Sequence, residues 1–153
     1  MRRRRIAGVA LITLSLATLV GAVAVATPLV DVTVEPVAAA RVARDFRILQ
    51  GDGQGVLIAR FTIAPGGTTG WHTHPGQALV AVQSGELTLY RSVNGECRRR
   101  TFGPGEGFVE IRSIVHMANN EGDVPLVFGA TLFRIPASGV ARIDQPDPGV
   151  CST

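Results

Sequence analysis

The chain has three histidines, His72, His74 and His116, and a single residue separates the first two in GGTTGWHTHPGQALVAVQSGEL, residues 66–87. On an extended strand side chains alternate between faces, so residues i and i+2 look the same way and both imidazoles can aim at one point. His116 falls in SIVHMANN, a second expected strand, and meets the other two if the strands curl about a common interior. Three nitrogen donors with coordination positions left open describe a catalytic metal site rather than a closed structural one. Such a set would hold a divalent transition metal, with Fe, Zn, Mn, Ni and Cu all open. Taken alone, His-x-His is a weak signal that reads more readily as two surface or hydrogen-bonded histidines, so the elements around it decide.

Those elements are strands. From Asp45 onward the sequence consists of short apolar runs cut by glycine-rich turns, the texture of an all-β sandwich or small antiparallel β-barrel. In VLIARFTI, Leu57, Ala59, Phe61 and Ile63 share one apolar face, while Val56, Ile58, Arg60 and Thr62 share a mixed one. Further strands are expected at 78–83, 86–92, 98–102, 107–111, 114–118 and 125–135. Turns fall at Ser84-Gly85, Asn94-Gly95, Gly103-Pro104-Gly105 and Glu121-Gly122-Asp123, and the pattern predicts no helix beyond the N-terminal segment.

With 153 residues there is room for one domain with a sizeable core. The net charge of +3 comes from Arg2, Arg3, Arg4 and Arg5; the 11 remaining arginines face 12 acidic residues, so no basic face remains for nucleic acid. The arginine cluster and the uncharged run Ile6–Ala26, ending in Ala24-Val25-Ala26, read over residues 1–26 as an export signal cleaved near Thr27. An uncleaved transmembrane anchor is the alternative, since about 20 apolar residues suffice to cross a bilayer. Either way the rest of the chain is secreted or held at the cell envelope, and it touches a membrane only through this segment. Residues 27–44 read as a linker or arm, 45–137 as the barrel domain and 138–153 as a C-terminal arm. Cys97 and Cys151 lie in the exported part, where an oxidising compartment permits a disulfide; two unrelated thiols are the alternative.

The spacing carries a resemblance. Gly66, His72, His74 and Gly85 fit the first motif of the cupin superfamily, and Pro104-Gly105, His116 and Asn120 in FGPGEGFVEIRSIVHMANNEG resemble the second. The likeness spans about residues 46–135 and implies a six- to eight-stranded antiparallel barrel of jelly-roll type, with a metal inside it. The ending RIDQPDPGVC, together with GWHTHPG, is similar to small exported bacterial members, and strand exchange between barrels implies a homodimer.

One position departs from the pattern: Ala78 stands where the superfamily carries a glutamate ligand. Gln77 and Glu110 are the accessory candidates, Gln77 otherwise being a solvated turn residue and Glu110 a surface carboxylate. Three imidazoles without a carboxylate leave a divalent charge uncancelled and favour an anionic ligand, as in the three-histidine iron sites of thiol dioxygenases, which this set resembles. Trp71 and Tyr90 are candidates for the pocket wall, with strand packing as the alternative for each. Arg98, Arg99 and Arg100 read as a solvated hairpin edge, and Asn120 as support for the backbone after His116. Two functions follow as expectations: a metal-dependent protein binding a small anionic molecule, with dioxygenase-type activity if it is an enzyme, or a non-catalytic ligand- or partner-binding module at the envelope.

Overall fold

The computed structural model describes residues 26–41 and 55–152; the expected export segment, apart from Ala26, lies outside the described residues. Two antiparallel layers make up the fold. One contains β1 (Val30–Arg41), β2 (Gly55–Thr68), β9 (Leu126–Ile135), β4 (Ala78–Ser84) and β7 (Gly107–Glu110), paired in that order. The other contains β6 (Glu96–Phe102), β5 (Leu87–Val93), β8 (Val115–Asn119), β3 (His72–Thr73) and β10 (Ile143–Asp144). The layers join where Thr68 of β2 pairs with Asn119 of β8, giving a nearly closed antiparallel barrel of jelly-roll type.

Alternation along the strands builds the interior. In β4, Ala78, Val80 and Val82 are buried while Leu79 and Ala81 are exposed. In β2, Ala59 and Ile63 are buried, with Leu57 and Phe61 packed against the same core, as the expected apolar face requires. Ile63, Leu87, Leu89 and Leu126 fill the centre of that core. Asn94 and Gly95 both take positive φ, 53° and 77°, between β5 and β6. This is the two-residue hairpin turn whose twist matches the flanking strands, and Asn-Gly is the pair that adopts it at least cost.

Of the segment expected as a linker or arm over 27–44, Val30–Arg41 forms β1, antiparallel along β2, and residues 42–44 lie outside the described residues. Its alternating valines gave a strand signal that its prolines obscured. Pro36 coincides with an irregularity in the ladder, where a missing N–H is tolerated. The C-terminal arm is extended as expected. It lays β10 on β3, and Thr27 and Trp71 both hydrogen-bond to the backbone of Gln145. The arm ends in a disulfide between Cys151 and Cys97, whose Cα atoms are 5.1 Å apart. In the chain-entropy account, closing a loop of this length stabilises the fold by about 4 kcal/mol.

Candidate metal centre

His72 on β3 and His116 on β8 are direct partners in the antiparallel ladder, so their side chains stand side by side on the inner face. His74 follows two residues after His72 on that face, at the start of the His74-Pro75-Gly76 turn. The turn is pressed on β9 so closely that a Cβ at Gly76 would lie 2.0 Å from the carbonyl oxygen of Phe133, which only glycine accommodates. The three rings have centroids 4.3 to 5.2 Å apart, and one ligand atom from each lies within 4.8 Å of the others. All three histidines are buried.

The fourth member comes from β7. Glu110 is 9% exposed and turns inward, with Oε2 3.1 Å from Nε2 of His74 and Oε1 3.2 Å from Nε2 of His116. Its ladder partner on β4 is Ala78, the position that lacks the expected carboxylate. Paired residues on neighbouring strands share a face, so Glu110 brings a carboxylate to the side of the sheet where a glutamate at position 78 would have put one. The uncancelled-charge argument from three imidazoles alone therefore gives way: a carboxylate is present, supplied by the adjacent strand.

Backbone carbonyls orient the rings. Nδ1 of His72 faces the oxygen of Gly70 at 2.8 Å, Nδ1 of His74 that of Ala141 at 2.7 Å, and Nδ1 of His116 that of Ile114 at 2.8 Å. A carbonyl only accepts, so each Nδ1 carries a proton and each Nε2 is the nitrogen left to meet a metal. Such outer-shell carbonyls are the usual way of fixing a ligating histidine. Nε2 of His116 is buried and, despite its closeness to Glu110, lies outside hydrogen-bond geometry and has no hydrogen-bond partner. Ring nitrogens and an anionic carboxylate converging on one buried point are what a cation satisfies, so this donor set fits a transition metal.

The charge states divide the rings: His72 is held neutral, whereas His116 favours a proton against Glu110 that a bound metal would displace. Burial, followed by the charges of His116, Arg142 and His74, lowers the pKa of His72 to about 2, so its ring is neutral at any physiological pH. For Glu110 burial pushes upward, but the two neighbouring rings, His116 first and then His74, outweigh it and hold the carboxyl well below the usual range. For His116 burial pushes downward, and the attraction of Glu110 reverses it to a raised value.

Two cavities border the cluster. One, of about 160 Å³, lies beside His72, His74 and Glu110 within mostly apolar walls. The other, of about 270 Å³, lies beside Glu110 and His116 and is lined by Arg91, Arg98, Ile111 and Ile114. Gln77 is not part of the cluster: it is exposed, and its backbone oxygen accepts from the N–H of Phe133. Strand alternation from His74 through the turn points it outward. Trp71 and Tyr90 line neither of these two cavities. They pack with Met117 in a separate small core against Val115 and the Cys97–Cys151 disulfide, because alternation puts Trp71 opposite His72. The Tyr90 hydroxyl donates to Glu121 and accepts from Nε of Arg99 at 3.1 Å. Asn120, 1% exposed, donates to the carbonyls of Ile63 and Val124 and so braces the backbone after His116, as read. Arg91 and Arg142 carried no sequence signal; Arg91 reaches the site only because it pairs with His116 across β5 and β8, and Arg142 because the arm folds back.

With the geometry in place, a family model described as "Cupin domain" matches residues 59–133. Germin-like protein 3-8 of Oryza sativa subsp. japonica is 39% identical over 113 residues, covering 61% of this chain and 50% of that protein. Auxin-binding protein ABP19b of Prunus persica is 28% identical over 95 residues, covering 61% and 45%. The chain thus spans about half the length of these curated relatives. Among solved structures, an oxalate oxidase in complex with the substrate analogue glycolate superposes with a TM-score of 0.52 at 25% identity, covering 66% of this chain and 50% of that one. The oxalate decarboxylase of Lactobacillus farciminis in its formate complex gives a TM-score of 0.55 at 22% identity, covering 74% and 31%, a likeness of fold.

Proposed function

Because residues 59–133 make this chain a member of the cupin superfamily, we propose that it binds a divalent transition metal through His72, His74, His116 and Glu110 and takes a small anionic ligand at the open coordination positions. The observation that carries this is the convergence of Nε2 of His116, buried and without a hydrogen-bond partner, with two more imidazoles and a buried carboxylate. The likeness to an oxalate oxidase supports a metal-centred reading without naming this chain's substrate. When bound, the metal would supply Lewis acidity and, if redox-active, electron transfer to a small oxidant. The histidines and Glu110 orient it, while the barrel walls exclude water from its ligand.

The reaction class we propose is dioxygenase-type oxidation. Among the described residues, the charged side chains on the apolar cavity are Glu110, paired with His74 and His116, and Arg142. No further carboxylate or imidazole is placed there for general acid–base work. The same observation favours a second reading, a binding module without turnover. Oxygen consumption by the Fe(II)-loaded protein with a panel of organic acids, thiols and phenols separates the two: turnover selects the enzyme, and tight binding with no uptake selects the module.

The metal reading is tested by incubating the purified protein with Fe(II), Mn, Ni, Cu and Zn, removing excess ion and measuring bound metal. One ion per chain is expected, and retention of none of them overturns it. We also place the protein outside the cytoplasm. The Cys97–Cys151 disulfide and the arginine-then-apolar N-terminal run support this, while no helix among the described residues is long and apolar enough to cross a membrane.

A further inference from the structure

The cavity beside His72, His74 and Glu110 has walls of Leu57, Phe61, Val80, Phe128, Ala130 and Leu132. Leu29 and Val34, which are 40% and 39% exposed, also line it. Apart from the donors that converge on the metal position, its charged side chain is Arg142, delivered by the C-terminal arm and steadied by Asp144 at 2.6 Å. Arg142 belongs to the histidine end, since it lies between Ala141, whose carbonyl oxygen faces Nδ1 of His74 at 2.7 Å, and Ile143-Asp144, which pair with Thr73 and His72. The cavity therefore has a cationic end, made of the metal position and one guanidinium, and a hydrocarbon body.

Size narrows the occupant. The volume is about 160 Å³, and an apolar cavity of about 150 Å³ holds one benzene ring. Oxalate, which has no hydrocarbon, would leave these apolar walls unfilled and gain nothing from them. Resting on the metal reading above, we infer that the ligand is a small monoanionic acid with an apolar body the size of one ring. Its acidic group lies between the metal position and Arg142, and its body fills the space between Leu57 and Phe128.

The test titrates benzoate, cyclohexanecarboxylate, benzyl alcohol, 2-naphthoate and oxalate by calorimetry into protein whose bound metal has been measured. Benzoate and cyclohexanecarboxylate are expected to bind about tenfold tighter than oxalate or benzyl alcohol. Ala130→Leu fills the cavity and should weaken benzoate about tenfold, whereas Phe128→Ala enlarges it and should shift preference toward naphthoate by a similar factor. Both variants should load metal as the wild type does, and if Ala130→Leu does not fold, Phe128→Ala decides the matter. Arg142→Gln should weaken benzoate severalfold while leaving benzyl alcohol unchanged, and Arg142→Lys should recover part of the loss. Oxalate binding as tightly as benzoate, or metal-loaded Phe128→Ala with unaltered selectivity, overturns the inference. Protein that loads metal but ignores every ring acid overturns this inference alone; protein that retains no metal overturns the metal reading and this one with it.

Discussion

Two clusters stand back to back on the same strands. Inside, His72 and His116 join His74 and Glu110; outside, their chain neighbours Trp71 and Met117 join Tyr90 beneath the Cys97–Cys151 disulfide. The outer cluster settles its own account, since its apolar surfaces pack together and the Tyr90 hydroxyl has partners in Glu121 and Arg99. The inner one does not: ring nitrogens converge, Nε2 of His116 has no hydrogen-bond partner, and a carboxylate is buried to meet them. Buried polar groups left partly satisfied destabilise a fold, so what they await is a ligand rather than a neighbour. One residue's step along β3 or β8 changes a side chain's role from holding the barrel together to presenting chemistry.

The comparison breaks most completely at His116. His116→Ala should abolish metal uptake, whereas in the wild type metal at about 100 times its Kd should raise stability by about 2.7 kcal/mol. Calorimetric melting with and without metal reads both, and an equal metal-induced shift in the variant would show that the ion binds elsewhere.

In the outer cluster, Trp71→Ala removes a side chain that is 3% exposed. The expected cost is about 3–5 kcal/mol of unfolding free energy, with bound metal per chain unchanged. Denaturant unfolding in the presence of reducing agent and again without it would also show the disulfide adding its own increment. A Trp71→Ala protein that keeps its stability but loses its metal would reverse the assignment of the two clusters.

Between these lies the register of β4 and β7. Glu110→Ala should weaken metal binding by on the order of 100-fold. Because Ala78 pairs with Glu110, adding Ala78→Glu in that background returns a carboxylate to the same side of the sheet and should recover about tenfold of the loss. Competition against a chelator of known affinity measures both. No recovery would mean that the site depends on where the carboxylate enters and not only on its charge.

How far this arrangement was legible differs between its parts. Alternation in VLIARFTI and in Ala78–Ser84 specified which faces point inward, and the two histidine-bearing segments brought the imidazoles together, because periodicity and ladder register are local properties of sequence. Glu110 was open between surface and site because its meaning depends on pairing with Ala78, more than thirty residues away. Gln77 and Trp71 are candidates through closeness to the histidines and Tyr90 through its hydroxyl, yet alternation along a strand sends adjacent side chains to opposite faces of the sheet. Val30–Arg41 was read as an arm because its prolines break local pattern, and only the long partner β2 makes it a strand. Arg142 was invisible, being placed by an arm whose course is set by β3 and a disulfide.

The smallest expected effect sharpens the outer half. Glu121 accepts from the Tyr90 hydroxyl and from Nη2 of Arg99 at 2.6 Å, at a partly exposed edge. Burial pushes its pKa upward, but those hydrogen bonds and the Arg99 charge prevail and lower it. A carboxyl with a depressed folded-state pKa stabilises the fold fully above its unfolded value, near 4.3, and the contribution fades as pH falls through the folded value. Glu121→Gln should therefore cost less than about 1 kcal/mol at neutral pH, given solvent screening, and the difference from wild type should vanish in acid. Metal affinity at neutral pH should not move, because Glu121 belongs to the outer network of Tyr90 and Arg99. Chemical denaturation of both proteins across the acid range would show the two stability curves meeting as pH falls. Curves that stay parallel would mean that the network contributes through shape rather than charge, making the outer cluster a packing unit through to its polar rim.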